Sequence, residues 1–91
     1  MNSAPGVKTV RSLNGFRLYL EFADGLVGEI DVSDRLFGPV FEPLRDSTEF
    51  SKAYVDEFGA VCWPNGADLA SDALYERVVL ENAADEGRLA R

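Results

Sequence analysis

Between residues 16 and 22 apolar and polar positions alternate: Phe16, Leu18, Leu20 and Phe22 fall on one side of an extended chain, Arg17, Tyr19 and Glu21 on the other. This period of two predicts a strand with one buried face. Residues 26 to 32 predict another, with Leu26, Gly28, Ile30 and Val32 on one side. A two-residue Asp24-Gly25 turn would pair Leu20 with Glu29 and Leu18 with Asp31, bringing carboxylates onto the apolar face. A three-residue loop, Ala23-Asp24-Gly25, pairs Phe22 with Leu26, Leu20 with Gly28 and Leu18 with Ile30. The second register is expected, with Gly25 in the left-handed conformation of a bulged loop. It sets Arg17 opposite Asp31 on the solvent face.

Residues 7 to 13 predict a less regular strand, joined to Phe16 through Asn14-Gly15, to complete an N-terminal three-stranded meander. Val7 and Val10 can share a face only across a bulge, so this register stays open. Beyond the meander, Ser33 is expected to cap one turn through Asp34-Arg35-Leu36-Phe37, closed by Gly38 and stopped by Pro39. Residues 40–44, VFEPL, should run irregularly across the core, pinned by Val40, Phe41 and Leu44. Asp46-Ser47-Thr48-Glu49 has the spacing of a capping box, predicting a short helix over Phe50 and Ala53. Tyr54-Val55-Asp56 and Ala60 to Trp63 read as short strands around a turn at Gly59. From a Ser71 cap, Leu74 and Val78 share one helical stripe, and Tyr75 and Val79 the next. Residues 81–91 have little to bury and are expected to fray. The fold class expected is a small single α+β domain over 1–91, an antiparallel sheet with short helices and a C-terminal helix.

Composition narrows the chemistry. The 91 residues carry 9 basic against 16 acidic side chains, a net charge of −7. The basic residues are scattered, whereas a nucleic-acid surface gathers them on one face. Direct nucleic-acid binding is therefore not expected, and a basic protein partner is favoured. No apolar run approaches the roughly 20 residues of a membrane span, and MNSAPGVK lacks the features of a secretion signal. A cytoplasmic setting is the expectation. The chain has one cysteine and no histidine. That removes disulfides within the chain, His-dependent nucleophilic triads and His-containing zinc sites. Cys62, between Val61 and Trp63, reads as a small buried hydrophobe.

The run WPNGADL, residues 63–69, admits two readings. Pro64 cannot donate to a sheet ladder, and Asn65-Gly66 supplies a tight turn, so the strand holding Trp63 should end there, at a corner leading to the helix. Asp68 would then accept backbone N–H groups. Alternatively, Trp63 and Asp68, with Asn65 and Tyr54, form a small binding site, an aromatic wall with a carboxylate at its rim, for a cation or basic side chain. Asp56, Glu57, Asp68 and Asp72 have oxygens that could hold a divalent cation, but their spacing does not match a calcium loop. No pair of acids stands out as an acid and base, and no glycine-rich phosphate loop is present. Neither enzymatic activity nor a cofactor is expected.

Three stretches in order, F-A-D-G at 22–25, F-E-P-L-R-D with Phe50 four residues on, and V-C-W-P-N-G-A-D-L at 61–69 followed by Leu74-Tyr75, together resemble the bacterial family known as domain of unknown function 2442. The likeness covers roughly residues 7–78. It implies a compact α+β domain with an antiparallel sheet and short helices. Some members look like a module preceding a helix-turn-helix domain, and others stand alone, often encoded beside a small protein in an arrangement similar to a toxin–antitoxin pair. This chain ends about a dozen residues after the shared region and resembles the stand-alone form. The family supplies no catalytic residues to carry over. The functional expectation is a non-enzymatic acidic interaction module, antitoxin-like or regulatory, for a small basic protein. The alternative is a small-ligand or cation sensor around the Trp63–Asp68 turn, and self-association through a sheet edge is compatible with both.

Overall fold

The computed structural model describes residues 5–89, and side chains as far as residue 82. Six strands and three helices follow one another: β1 (Val7–Leu13), β2 (Arg17–Phe22), β3 (Val27–Asp31), α1 (Gly38–Phe41), α2 (Ser47–Phe50), β4 (Tyr54–Val55), β5 (Val61–Cys62), β6 (Asp68–Leu69) and α3 (Ser71–Leu89). The strands form two antiparallel three-stranded sheets, in the orders β1-β2-β3 and β4-β5-β6. The architecture is that of a small α+β domain. The side chains of the expected frayed tail lie outside the described residues from position 83 on.

The β2–β3 register is the one that keeps carboxylates out of the core: Leu18 faces Ile30 and Leu20 faces Gly28. The Phe22 N–H donates to the Leu26 carbonyl and Gly25 has φ +95°, as the three-residue loop requires. Arg17 sits opposite Asp31 in the ladder, yet its guanidinium pairs with Glu29 at 2.7 Å. Both partners are exposed, and a pair of this kind contributes only about 0–1 kcal/mol.

The open β1 register resolves through a bulge between Val7 and Thr9, after which Val10 faces Leu20 and Ser12 faces Leu18. Val7 and Val10 thereby reach the same face. The β1–β2 loop is one residue longer than Asn14-Gly15: Leu13 pairs with Arg17, and Phe16 lies in the loop at φ +61°. The shorter loop would have paired Arg11 with Leu18 and turned a guanidinium toward the core, so the hydrophobic pattern overrides the local turn preference.

Between the sheets the chain is more helical than its pattern suggests. Ser33 begins a 3-10 turn over Ser33–Arg35 without capping it, and its N–H instead donates to Asp31 Oδ1 at 2.8 Å. Pro39 lies in the first turn of α1, where its missing N–H costs nothing. A second 3-10 turn over Glu42–Arg45 follows, so residues 40–44 are helical rather than irregular. Leu44 is buried and Phe41 half-buried, but Val40 is exposed. The Asp46 side chain caps α2 by accepting the Thr48 N–H at 2.9 Å, while Glu49 pairs with Lys52 rather than closing a capping box.

One core joins both sheets to the helices, with Leu18, Leu20, Phe22, Ile30 and Val32 from the first sheet and Val61, Trp63 and Leu69 from the second. Leu74 and Val78 of α3 close it. Helix α3 starts with Ser71 as its first residue, not its cap, and the Leu74 N–H donates to the Ala70 carbonyl. The helix approaches β3 so closely that a Cβ on Gly28 would stand 2.7 Å from Val78 Cγ1. Asn82 Nδ2 and Arg77 donate to the Val27 and Asp31 carbonyls, covering two outward-facing acceptors of the β3 edge. Among the described residues, no helix is long and apolar enough to cross a membrane.

Candidate functional site

The run WPNGADL is a β-hairpin, with no direct passage from strand to helix. Trp63 donates its N–H to the Ala67 carbonyl, Gly66 donates back to the Trp63 carbonyl, and Gly66 has φ +97°. The chain then returns as β6, pairing Leu69 with Val61 and Asp68 with Cys62. This sixth strand lies where a corner into the helix was expected.

The turn is satisfied by the Asn65 amide and not by the Asp68 carboxylate expected to do so. Asn65 Oδ1 accepts the Ala67 N–H at 3.1 Å, and Asn65 Nδ2 donates to the Val40 carbonyl at 2.8 Å, fastening the hairpin to α1. Trp63 is 1% exposed. Its ring packs with Phe50 and Phe41, and its Nε1–H donates to the Phe50 carbonyl at 2.9 Å. Trp63 and Asn65 are therefore engaged in holding the second sheet to the helical segment.

Tyr54 and Asp68 are brought onto one row of the second sheet, on either side of Cys62. Tyr54 pairs with Cys62, and Cys62 with Asp68, so the three form one row across the sheet. Successive residues of a strand point to opposite faces. With Val61 and Leu69 turned inward, the row Tyr54-Cys62-Asp68 lies on the outer face, opposite Trp63. A single pocket walled by Trp63 and rimmed by Asp68 is thus not formed. Tyr54 is 48% exposed and Asp68 is exposed, with Cys62 between them at 9%.

Asp56 borders this row. Its Oδ1 accepts the Phe58 and Ala60 N–H groups, both at 2.9 Å, and the Cys62 thiol lies 3.5 Å from its Oδ2. The Ala60 N–H above all holds the Asp56 carboxyl below its ordinary value of 3.8. Burial, then the neighbouring Asp56 and Asp68 carboxylates, push the Cys62 thiol up to about 11. At neutral pH the thiol is protonated and poorly nucleophilic.

Asp24 and Asp31 are also lowered, Asp24 chiefly by the Tyr75 hydroxyl at 2.6 Å and Asp31 by Ser33. The unfolded chain therefore binds protons that the folded chain refuses. Stability is expected to hold above pH 3.8, the ordinary aspartate value, and to fall as acid carries these groups through their lower folded values. At the other end, it should fall as pH rises from 9.0 through about 11, because the folded state favours the protonated Cys62 thiol. Urea midpoints measured against pH test this, with Asp56→Asn expected to flatten the acid limb; a level acid limb in the parent protein would refute it.

Among the described residues, no three Cys, Asp or Glu side chains converge as a group that could hold a metal ion. A shallow hollow of about 150 Å³ lies between the β1–β2 loop and α2, lined by Ser12, Phe16, Phe50 and Ser51 among others. It includes none of the four candidate residues. The Ser12 and Ser51 hydroxyls are spent on the Phe50 and Thr48 carbonyls.

Residues of the FADG, FEPLRD–Phe50, WPNG and Leu74-Tyr75 stretches meet one another across the fold. Phe22 packs edge-on against Tyr75, Asp24 accepts the Tyr75 hydroxyl, and the Phe50 carbonyl receives Trp63. A family model described as protein of unknown function (DUF2442) matches residues 7–79, most of the chain. The chain belongs to this family. No curated protein and no solved structure matches it significantly. In this DUF2442 domain the conspicuous FADG, WPNG and LY residues lie at the joints between the sheets, α1 and α3, which gives them a structural reason to occur together.

Proposed function

We propose that this DUF2442 domain is a non-enzymatic acidic interaction module of the bacterial cytoplasm that binds a small basic protein, in the manner of an antitoxin or regulatory partner. The observation that carries this reading is the placement of charge: no charged side chain among the described residues is buried, so a chain of net charge −7 presents its described carboxylates at the surface. Such a surface favours encounter with a basic partner and disfavours nucleic acid. The Cys62 thiol, by contrast, is protonated at neutral pH.

The test is purification of the tagged protein from its host at low salt, followed by reconstitution with whatever small basic protein accompanies it. A stoichiometric complex is expected, weakened about tenfold or more as salt shortens the range of exposed charges. Affinity indifferent to salt, or the absence of any basic partner, would overturn the proposal.

A further inference from the structure

The outer face of the second sheet has more than charge to offer. Neighbouring strands lie about 4.8 Å apart, so the backbones at Tyr54 and Asp68 stand about 10 Å from each other across β5. The Cys62 side chain between them is shorter than its neighbours, so the row dips to a shallow notch over a largely buried sulfur, with an aromatic ring on one side and a carboxylate on the other. Asp56 Oδ2 reaches the floor of this notch beside the Cys62 sulfur. Among the described residues, the Asp68 carboxylate has no hydrogen-bond donor. The four ion pairs among the described residues, Lys8–Glu21, Arg17–Glu29, Lys52–Glu49 and Arg77–Asp34, include neither Asp56 nor Asp68. At the adjoining loop tip Phe58 is 80% exposed, although its backbone is fixed by the Asp56 carboxylate.

We propose that this notch, floored by Cys62 and flanked by Tyr54, Asp56 and Asp68, receives an arginine side chain of the basic protein partner, with Phe58 as an adjoining aromatic anchor. The assignment rests on the module reading above and gives it a surface and a residue type. Arginine fits better than lysine because a planar guanidinium stacks on an aromatic ring while its N–H fork meets a carboxylate. An exposed aromatic on a constrained loop is the side chain that protein interfaces most often use as an anchor.

The test is an amide-resolved NMR titration of the folded protein at low salt with a blocked Arg-Gly-Arg peptide and its Lys-Gly-Lys counterpart. Perturbations are expected to concentrate at Tyr54, Asp56, Cys62 and Asp68, with tighter binding of the arginine peptide. Tyr54→Ala and Asp68→Asn alter exposed side chains and should leave the rest of the spectrum unchanged. Each should weaken binding by about two- to fivefold. Glu42→Gln removes the same charge from another exposed position and should have a smaller effect. Perturbations spread evenly over the acidic surface, equal effects of Asp68→Asn and Glu42→Gln, or no arginine-peptide binding would each overturn the notch. The module reading is judged separately by the co-purified partner, and a basic partner seated elsewhere would refute the notch alone.

Discussion

Trp63→Ala is expected to remove about 3–5 kcal/mol, a large share of the roughly 5–14 kcal/mol available to a domain of this size. The indole is enclosed between Phe41 and Phe50, with ring centroids 6.5 and 5.8 Å away. Its removal leaves a cavity where the second sheet meets the helical segment. The lost hydrogen bond is the smaller part, because the Phe50 carbonyl still receives the Ser12 hydroxyl at 3.0 Å. Trp63→Phe retains much of the ring volume and should cost less than the alanine variant. Urea unfolding followed by circular dichroism tests the ranking, since the tryptophan emission is lost with the only tryptophan. A loss below about 1 kcal/mol for Trp63→Ala would contradict its place in the core. Folded Trp63→Phe should bind the arginine peptide like the parent protein, because residue 63 lies on the opposite face from the notch.

That opposition explains why the site was only partly legible. The β2–β3 register could be deduced because both strands are long enough for alternation to choose between loops. The two-residue strands of the second sheet offer no such pattern, although its loops repeat the same construction. Phe22 to Leu26, Asp56 to Ala60 and Trp63 to Ala67 are each closed by an N–H bond from the first residue to the fifth carbonyl and another from the fourth, a glycine, to the first. Reading WPNGA in the register of FADGL would have revealed β6 and turned Asp68 away from Trp63. One residue of offset decides the face. The Tyr54–Asp68 relation was harder to see because two hairpins must close before Cys62 can join them. Ser33 and Asp46 show a similar limit: both have cap chemistry, but Asp31 already serves the Ser33 N–H, and only Asp46 becomes a cap.

The shared construction of these loops also allows a backbone contact to be measured against an internal control. Gly59 and Gly66 occupy corresponding positions, with φ +81° and +97°. An added Cβ at Gly66 meets nothing within 4 Å, so Gly66→Ala should cost only the left-handed backbone penalty of about 1–2 kcal/mol. At Gly59 the same Cβ would stand 2.6 Å from Gly6 Cα and 3.0 Å from the Val7 nitrogen. These are backbone atoms and have no rotamer to change. Gly59→Ala must move one chain away from the other, and overpacking should raise its total cost to about 2–5 kcal/mol. The move strains the Val7 N–H bond to the Gly59 carbonyl, 2.9 Å long, which ties β1 to the second sheet. Faster hydrogen exchange at Val7 is therefore expected in Gly59→Ala and not in Gly66→Ala. Equal costs for the two variants would show that the Gly6–Gly59 approach does not constrain the fold. Because Asp56 and Phe58 belong to the displaced loop, arginine-peptide binding should weaken in folded Gly59→Ala, connecting the glycine contact that joins the sheets to the shape of the notch.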